Sequence, residues 1–356
     1  MTISTQRKML SARRAAAVAA AALCLAAGCP SCRKRRQNGE PSQQPASAQR
    51  GAAITVVAST FPCYDAARAV LGGTLSDGTA QLRLLVKPGA EVHSYDPPPS
   101  DIIAIQESDL FIYIGGESDE WIRSVLSGAG SGQTRAIALI DYARTLDEPE
   151  FDTDGGAPSG GRIGHQHSGG TENPHEADEH IWTAPDNEIR MVAAVSEALQ
   201  AAAARKELGQ DVSDAFARNA ASYCNSVRQA EAALRAAVDA AAERFIVMAD
   251  RFPFVYFADY YGLDYDAAFS GCSTAVEAGA AVIARLIDTV KAKNLPAVFA
   301  IELGNHKLAD VVAESAGVPV LILQSVQNVT KDDFAAGETW VSLMERNAEA
   351  LRSGLR

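Results

Sequence analysis

Histidine is scarce in this chain, with six in 356 residues, and it is unevenly placed. His165, His167, His175 and His180 fall within one short stretch, while His93 and His306 stand apart. Neutral imidazole is a strong ligand for zinc and neighbouring first-row ions, so such clustering points to metal chemistry. His93 sits in Lys87-Pro88-Gly89-Ala90-Glu91-Val92-His93-Ser94-Tyr95-Asp96-Pro97, just after an apolar run. His180 sits in Asp178-Glu179-His180-Ile181-Trp182-Thr183-Ala184-Pro185, just before a helical pattern. Taken alone, each of these two reads sooner as a surface or structural histidine than as a ligand. His306, in Gly304-Asn305-His306-Lys307, reads as a helix start rather than a ligand.

The elements that must hold these residues alternate. Short β-branched runs are expected as strands at 54–59, 81–86, 110–114 and 136–140, with helices at 66–71, 100–107 and 120–126 between them. A second alternating set runs through 245–249, 265–269, 297–301 and 318–323, with helices at 254–261, 276–291, 306–315 and 339–351. Repeated strand-then-helix units imply parallel sheets covered by helices. Between the sets lie a helix at 189–204 and a longer one at 211–244, which at ~1.5 Å per residue would reach about 50 Å. The expected fold is therefore α/β, with two lobes joined by one long rigid helix and a ligand cleft between them. The loops after the carboxyl ends of parallel strands, where His93 falls, are where such sheets place ligands. Residues 152–179 break the pattern with three Gly-Gly pairs and no apolar periodicity, and read as a long surface loop.

The amino terminus reads as an address. Arg7, Lys8, Arg13 and Arg14 precede the apolar run Ala15–Ala27, which is shorter than a membrane span. Leu25-Ala26-Ala27-Gly28-Cys29 resembles the bacterial lipobox, making Cys29 the expected lipidation site. Residues 1–28 are then a signal peptide, and 29–50, with Arg33-Lys34-Arg35-Arg36, a flexible tether. The whole chain has 32 basic and 44 acidic residues; loss of 1–28 leaves 28 basic residues and a net charge of −16. That acidity argues against nucleic-acid partners and suits a cation. No Gly-x-Ser-x-Gly, His-Glu-x-x-His or phosphate-binding loop occurs, so no enzyme is expected.

Together these motifs resemble the zinc/manganese solute-binding lipoproteins that serve ABC importers. Lys87–Pro97 is similar to that family's PGxxxHxYEP motif, and Asp178–Pro185 to its DPHxWLSP motif. Thr60–Asp65 resembles the family's first-strand exit, Ala297–Glu302 its VFxE strand, and Glu277 its helix-opening acid. The likeness covers residues 54–353. It implies a two-lobed fold of the TroA-like type, with a lobe at 51–210, a linking helix at 211–244 and a second lobe at 245–356. It also implies that His93 and His180 are the amino-terminal-lobe ligands.

The second lobe departs from the family pattern. Arg251 stands where relatives commonly have His, and Arg offers a metal no lone pair. Gln324 stands where some members have an acid. Cys272, in Phe269-Ser270-Gly271-Cys272-Ser273, is a candidate third ligand, a buried inert thiol, or a disulfide partner for Cys63. Glu302 is a second candidate ligand, or the ion-pair partner of Arg251; Asp250 has the same two readings. The loop with His165, His167 and His175 resembles the family's weak zinc-collecting insert.

The resemblance thus implies an exported, lipid-anchored monomer that binds zinc and passes it to an ABC permease and ATPase. Manganese or another divalent ion is the alternative cargo. An adhesin or interaction lipoprotein, and a secreted zinc hydrolase using Glu302 as base, are the competing readings.

Overall fold

The strands are short, and those at the centre of each sheet are apolar runs largely buried on both faces, as a parallel sheet between helices requires. The computed structural model describes residues 53–128, 134–149, 151, 177–273 and 278–356, all within the unit Gln49–Arg356. The first sheet contains β1 (Ile54–Ala58), β2 (Ala80–Leu84), β3 (Leu110–Tyr113) and β4 (Arg135–Ala138), in the order β2-β1-β3-β4. Every pair is parallel, with Val56 beside Leu82 on one side and Leu110 on the other. Helices α1 (Phe61–Leu71), α2 (Pro99–Glu107) and α3 (Glu120–Gly128) cross between these strands.

Two longer helices follow, α4 (Pro185–Arg205) and α5 (Gln210–Asp239). The second sheet then contains β5 (Phe245–Phe252), β6 (Asp264–Ser270), β7 (Val298–Ile301) and β8 (Val320–Leu323), in the order β6-β5-β7-β8 and again all parallel. Its helices are α6 (Val255–Tyr261), α7 (Ala280–Lys293) and α8 (Lys307–Ala316), followed by α9 (Lys331–Ala336) and α10 (Trp340–Gly354). Two parallel sheets flanked by helices is the architecture that the sequence leads one to expect.

Helix α5, with 30 residues and a length of ~45 Å, packs on α4 and α10. It buries Phe216, Ala220, Val227, Ala230 and Leu234 at helical spacing, which keeps one face of the helix in the core along most of its length. Asp65 locks the junction. Its buried carboxylate accepts from the Tyr223 hydroxyl on α5, from the Trp340 backbone N–H on α10, and from Arg68 on its own helix. A buried charge held by three donors in this way orients the helices around it, because leaving it unpaired is costly.

Several boundaries differ from the expected ones. Helix α1 begins at Phe61, not Ala66, because Pro62 is favourable in a first helical turn. Helix α5 ends at Asp239, five residues before Arg244. Helix α9 has no counterpart in the sequence reading; it buries no side chain and so leaves no apolar periodicity to read.

Candidate metal centre

His180 caps a one-turn 3-10 helix, Ile181–Thr183, between the first sheet and α4. Its backbone N–H donates to Asp178 Oδ1 at 2.8 Å, and its Nδ1 lies 3.1 Å from the same oxygen. A carboxylate at Nδ1 puts the proton on that nitrogen and turns Nε2 into the acceptor, the arrangement found behind metal-binding imidazoles. Nε2 is buried and has no hydrogen-bond partner among the described residues. A buried lone pair with no donor facing it is what an incoming cation would satisfy.

His93 comes from the loop after β2. Its Nδ1 lies 3.2 Å from Ser118 Oγ and its Nε2 lies 2.9 Å from Gln327 Nε2. The amide N–H donates to Nε2, so we assign the proton to Nδ1, again leaving Nε2 as the metal-facing atom. Ser118 is itself held, its N–H donating to Glu179 Oε1 at 2.6 Å. The two imidazole rings stand 5.7 Å apart.

Cys272 reaches the same place from the other sheet, just past the end of β6. Its N–H donates to Glu148 Oε1 at 2.9 Å. Gly271 makes the approach possible, since a Cβ there would lie 2.7 Å from His180 Cε1 and 3.1 Å from the Phe252 carbonyl oxygen. One donor atom from each of His93, His180 and Cys272 lies within 4.8 Å of the others. Tetrahedral zinc sets nitrogen and sulfur donors ~3.4–3.6 Å apart, so an inward shift of about 1 Å would close the three around an ion. The donor set therefore fits zinc.

The charges around the site are unequal. Burial works against a proton on His180, but Asp178, then Glu179 and Glu148, outweigh it and raise the pKa above the ordinary histidine value. Burial and the neighbouring His180 hold His93 down to about 4, against Glu91 and Asp178. Burial, reinforced by Glu179, Glu148 and Asp178, pushes the Cys272 thiol up. A cation among these groups would reverse that pressure and draw off the thiol proton.

The remaining candidates stand elsewhere. Glu302 is not in the cluster, and both its oxygens are taken: Oε2 accepts from Ser325 N–H, and Oε1 from Ser325 Oγ and Val326 N–H. Its role is to pin the loop after β8, which also leaves it out of place as a hydrolytic base. Nor does it pair with Arg251, which makes two hydrogen bonds to Glu91 of the His93 loop, at 3.3 and 3.1 Å. This ion pair borders a cavity of about 350 Å³ that His93, Asp250, Asn305 and His306 also line. Asp250 accepts from the N–H groups of Arg251 and Ile301. Gln324 is bound through its backbone to Asn347. His306 precedes α8 and contacts the Ile301 carbonyl oxygen through Nε2 at 2.8 Å. Cys63 is fully buried in the first turn of α1; it and Cys272 are free thiols, not a disulfide. Cys29, His165, His167, His175 and Glu277 lie outside the described residues.

Sequence reasoning passed over Asp178, Ser118, Glu148, Gly271 and Gln327. An acid two residues before a ligand histidine was a readable signal for Asp178. Gln327, 234 positions from His93, carried none.

Two parallel-sheet lobes with a ligand group drawn from both define a solute-binding protein of the two-lobed α/β type. Residues 56–354 match the family ZnuA, "Zinc-uptake complex component A periplasmic", and the chain belongs to it. It is 27% identical over 299 residues to the zinc-binding lipoprotein AdcA of Streptococcus pneumoniae, covering 84% of this chain and 55% of that protein. The chain thus spans about half the length of the curated AdcA relatives it matches. The high-affinity zinc uptake system protein ZnuA of Bacillus subtilis is 24% identical over 319 residues, covering 89% and 92% of the two chains. The Zn(II)-bound ZnuA-like domain of S. pneumoniae AdcA superposes with a TM-score of 0.66 at 25% identity, over 85% of this chain and 99% of that domain.

Proposed function

We propose that this chain is an extracytoplasmic zinc-capture lipoprotein that passes its ion to an ABC permease and ATPase. The observation that carries the reading is the convergence of His93, His180 and Cys272, with the buried His180 Nε2 facing no protein donor. Two imidazoles and a thiolate favour zinc over manganese, whose preference is for oxygen ligands. Cargo, not catalysis, suits a site whose groups come from two lobes, because loop or small lobe shifts can open the shell while the long helix limits large hinge motion. The proposed anchor is a lipid on Cys29, with residues 30–50 as tether. None of the helices among the described residues is long and apolar enough to cross a membrane.

The test is zinc calorimetry on the wild type and on His93→Ala plus His180→Ala. The wild type should bind one ion tightly and the double variant should lose that site. Micromolar or tighter binding by the double variant would refute the assignment. The loop carrying His165, His167 and His175 is proposed as a weak collecting site. Deleting 155–177 should remove only weak binding and leave the tight site in place.

A further inference from the structure

His93, His180 and Cys272 leave a tetrahedral ion one donor short. A fourth side chain already touches the group. Gln327, in the loop between β8 and α9, has its amide Nε2 at 2.9 Å from His93 Nε2. This is the ring atom that the Ser118 contact leaves as an acceptor.

The loop is built to hold Gln327 there. Val326 is fully buried with φ of +61°, a conformation that a β-branched residue adopts only when its surroundings impose it. The imposing groups are explicit. Glu302 accepts from both Ser325 and Val326, and the Ser325 carbonyl accepts from Trp182 Nε1 at 2.8 Å. On the other side, Asn328 Nδ2 donates to the Lys87 and Ala90 carbonyls, both at 2.9 Å. Gly89 N–H donates to the Val329 carbonyl at 2.8 Å. The backbone before Gln327 is thus held by Glu302 and Trp182, and the backbone after it by the loop that carries His93, without any help from the Gln327 side chain. That side chain is left to serve the site.

We propose that Gln327 is the fourth zinc ligand, its amide Oε1 closing the shell begun by His93, His180 and Cys272. This rests on the reading of those three residues as a zinc centre. A half-turn of the amide exchanges its donor end for its acceptor end in the same space. Tetrahedral zinc holds nitrogen and oxygen ligands ~3.4 Å apart, so the present 2.9 Å contact has to open by only about half an ångström. The completed shell carries a single anionic ligand, the Cys272 thiolate. The neutral amide is its most weakly held member, the one that can leave first when the ion is handed on.

The experiment uses the full chain loaded with Co(II), whose visible absorption reports ligand number and type, alongside zinc affinity measured against a competing chelator. Gln327→Ala should alter the cobalt bands and weaken zinc by about tenfold or more, at least what loss of a supporting partner causes. Gln327→Glu, which keeps an oxygen donor and adds charge, should hold four-coordinate bands and bind zinc more tightly than the wild type. Cobalt bands and zinc affinity unchanged in both variants would overturn the role of Gln327 alone. A wild type that binds neither ion would overturn the centre itself, so the two failures are separable.

Discussion

Zinc affinity should rise with pH, and Cys272 should control the alkaline part of that rise. A metal displaces whatever protons its ligands hold, so the slope of log affinity against pH counts the protons released. His93, with its pKa held near 4, is already neutral at working pH and contributes none. His180, raised by Asp178 over the opposing effect of burial, keeps its proton at and below the usual histidine range. Cys272, raised by burial and three carboxylates, keeps its proton well past neutrality. The slope should therefore be about two on the acid side of the His180 pKa and about one on the alkaline side. Each unit of slope is tenfold in affinity, or about 1.4 kcal/mol, per pH unit. Cys272→Ser substitutes a hydroxyl that adds no proton release at these pH values, so the alkaline slope should fall to about zero. Competition against a chromophoric chelator from about pH 5.5 to 9, corrected for the chelator's own titration, measures the slopes. Calorimetry in two buffers of different ionisation enthalpy counts the protons independently. A wild type that is flat above pH 7.5, or a Cys272→Ser variant that keeps the wild-type slope, would show that no thiolate binds the ion.

Three further outcomes follow from the geometry. Asp178→Asn keeps the shape behind His180 but loses the charge, and should cost about 10–100-fold in zinc affinity with the fold intact, read by the same competition assay. Unchanged affinity would mean that His180 needs no carboxylate behind it. Gly271→Ala places a methyl 2.7 Å from a fully buried His180 ring that Asp178 pins. It should destabilise the protein by about 1–3 kcal/mol in denaturant unfolding and weaken zinc as Cys272 is displaced. Full retention of both would refute the close approach. Glu188 is buried, and neither of its carboxylate oxygens has a hydrogen-bond partner among the described residues. Burial and then Asp65 push its pKa well up. An acid whose folded pKa is raised contributes stability that is full below its unfolded pKa of ~4.5 and is lost as pH rises toward the folded value. Glu188→Gln should remove that decline, about 1.4 kcal/mol per pH unit until the folded carboxyl ionises. Parallel stability curves for variant and wild type between pH 5 and 8 would exclude a buried neutral acid there.

The sequence alone carried the fold class, because parallel strands buried on both faces announce themselves as apolar runs such as Val56–Ala58 and Val298–Ile301, separated by helical spacing. It also put His93 and His180 forward as candidates, since each sits in a local motif only a few residues long. It placed Cys272 among the candidates but could not choose between ligand, inert thiol and disulfide, because that choice depends on what faces the sulfur across the cleft. Tertiary structure left Cys63 and Cys272 as free thiols, which removes the disulfide reading. It set Cys272 with the two histidines, turned Glu302 toward the loop at Ser325 and Val326, and paired Arg251 with Glu91. Gln327 was beyond reach of any local reading. Its place beside His93 follows from a strained Val326 and from hydrogen bonds spanning more than two hundred residues, and contacts of that range are written in no short stretch of sequence.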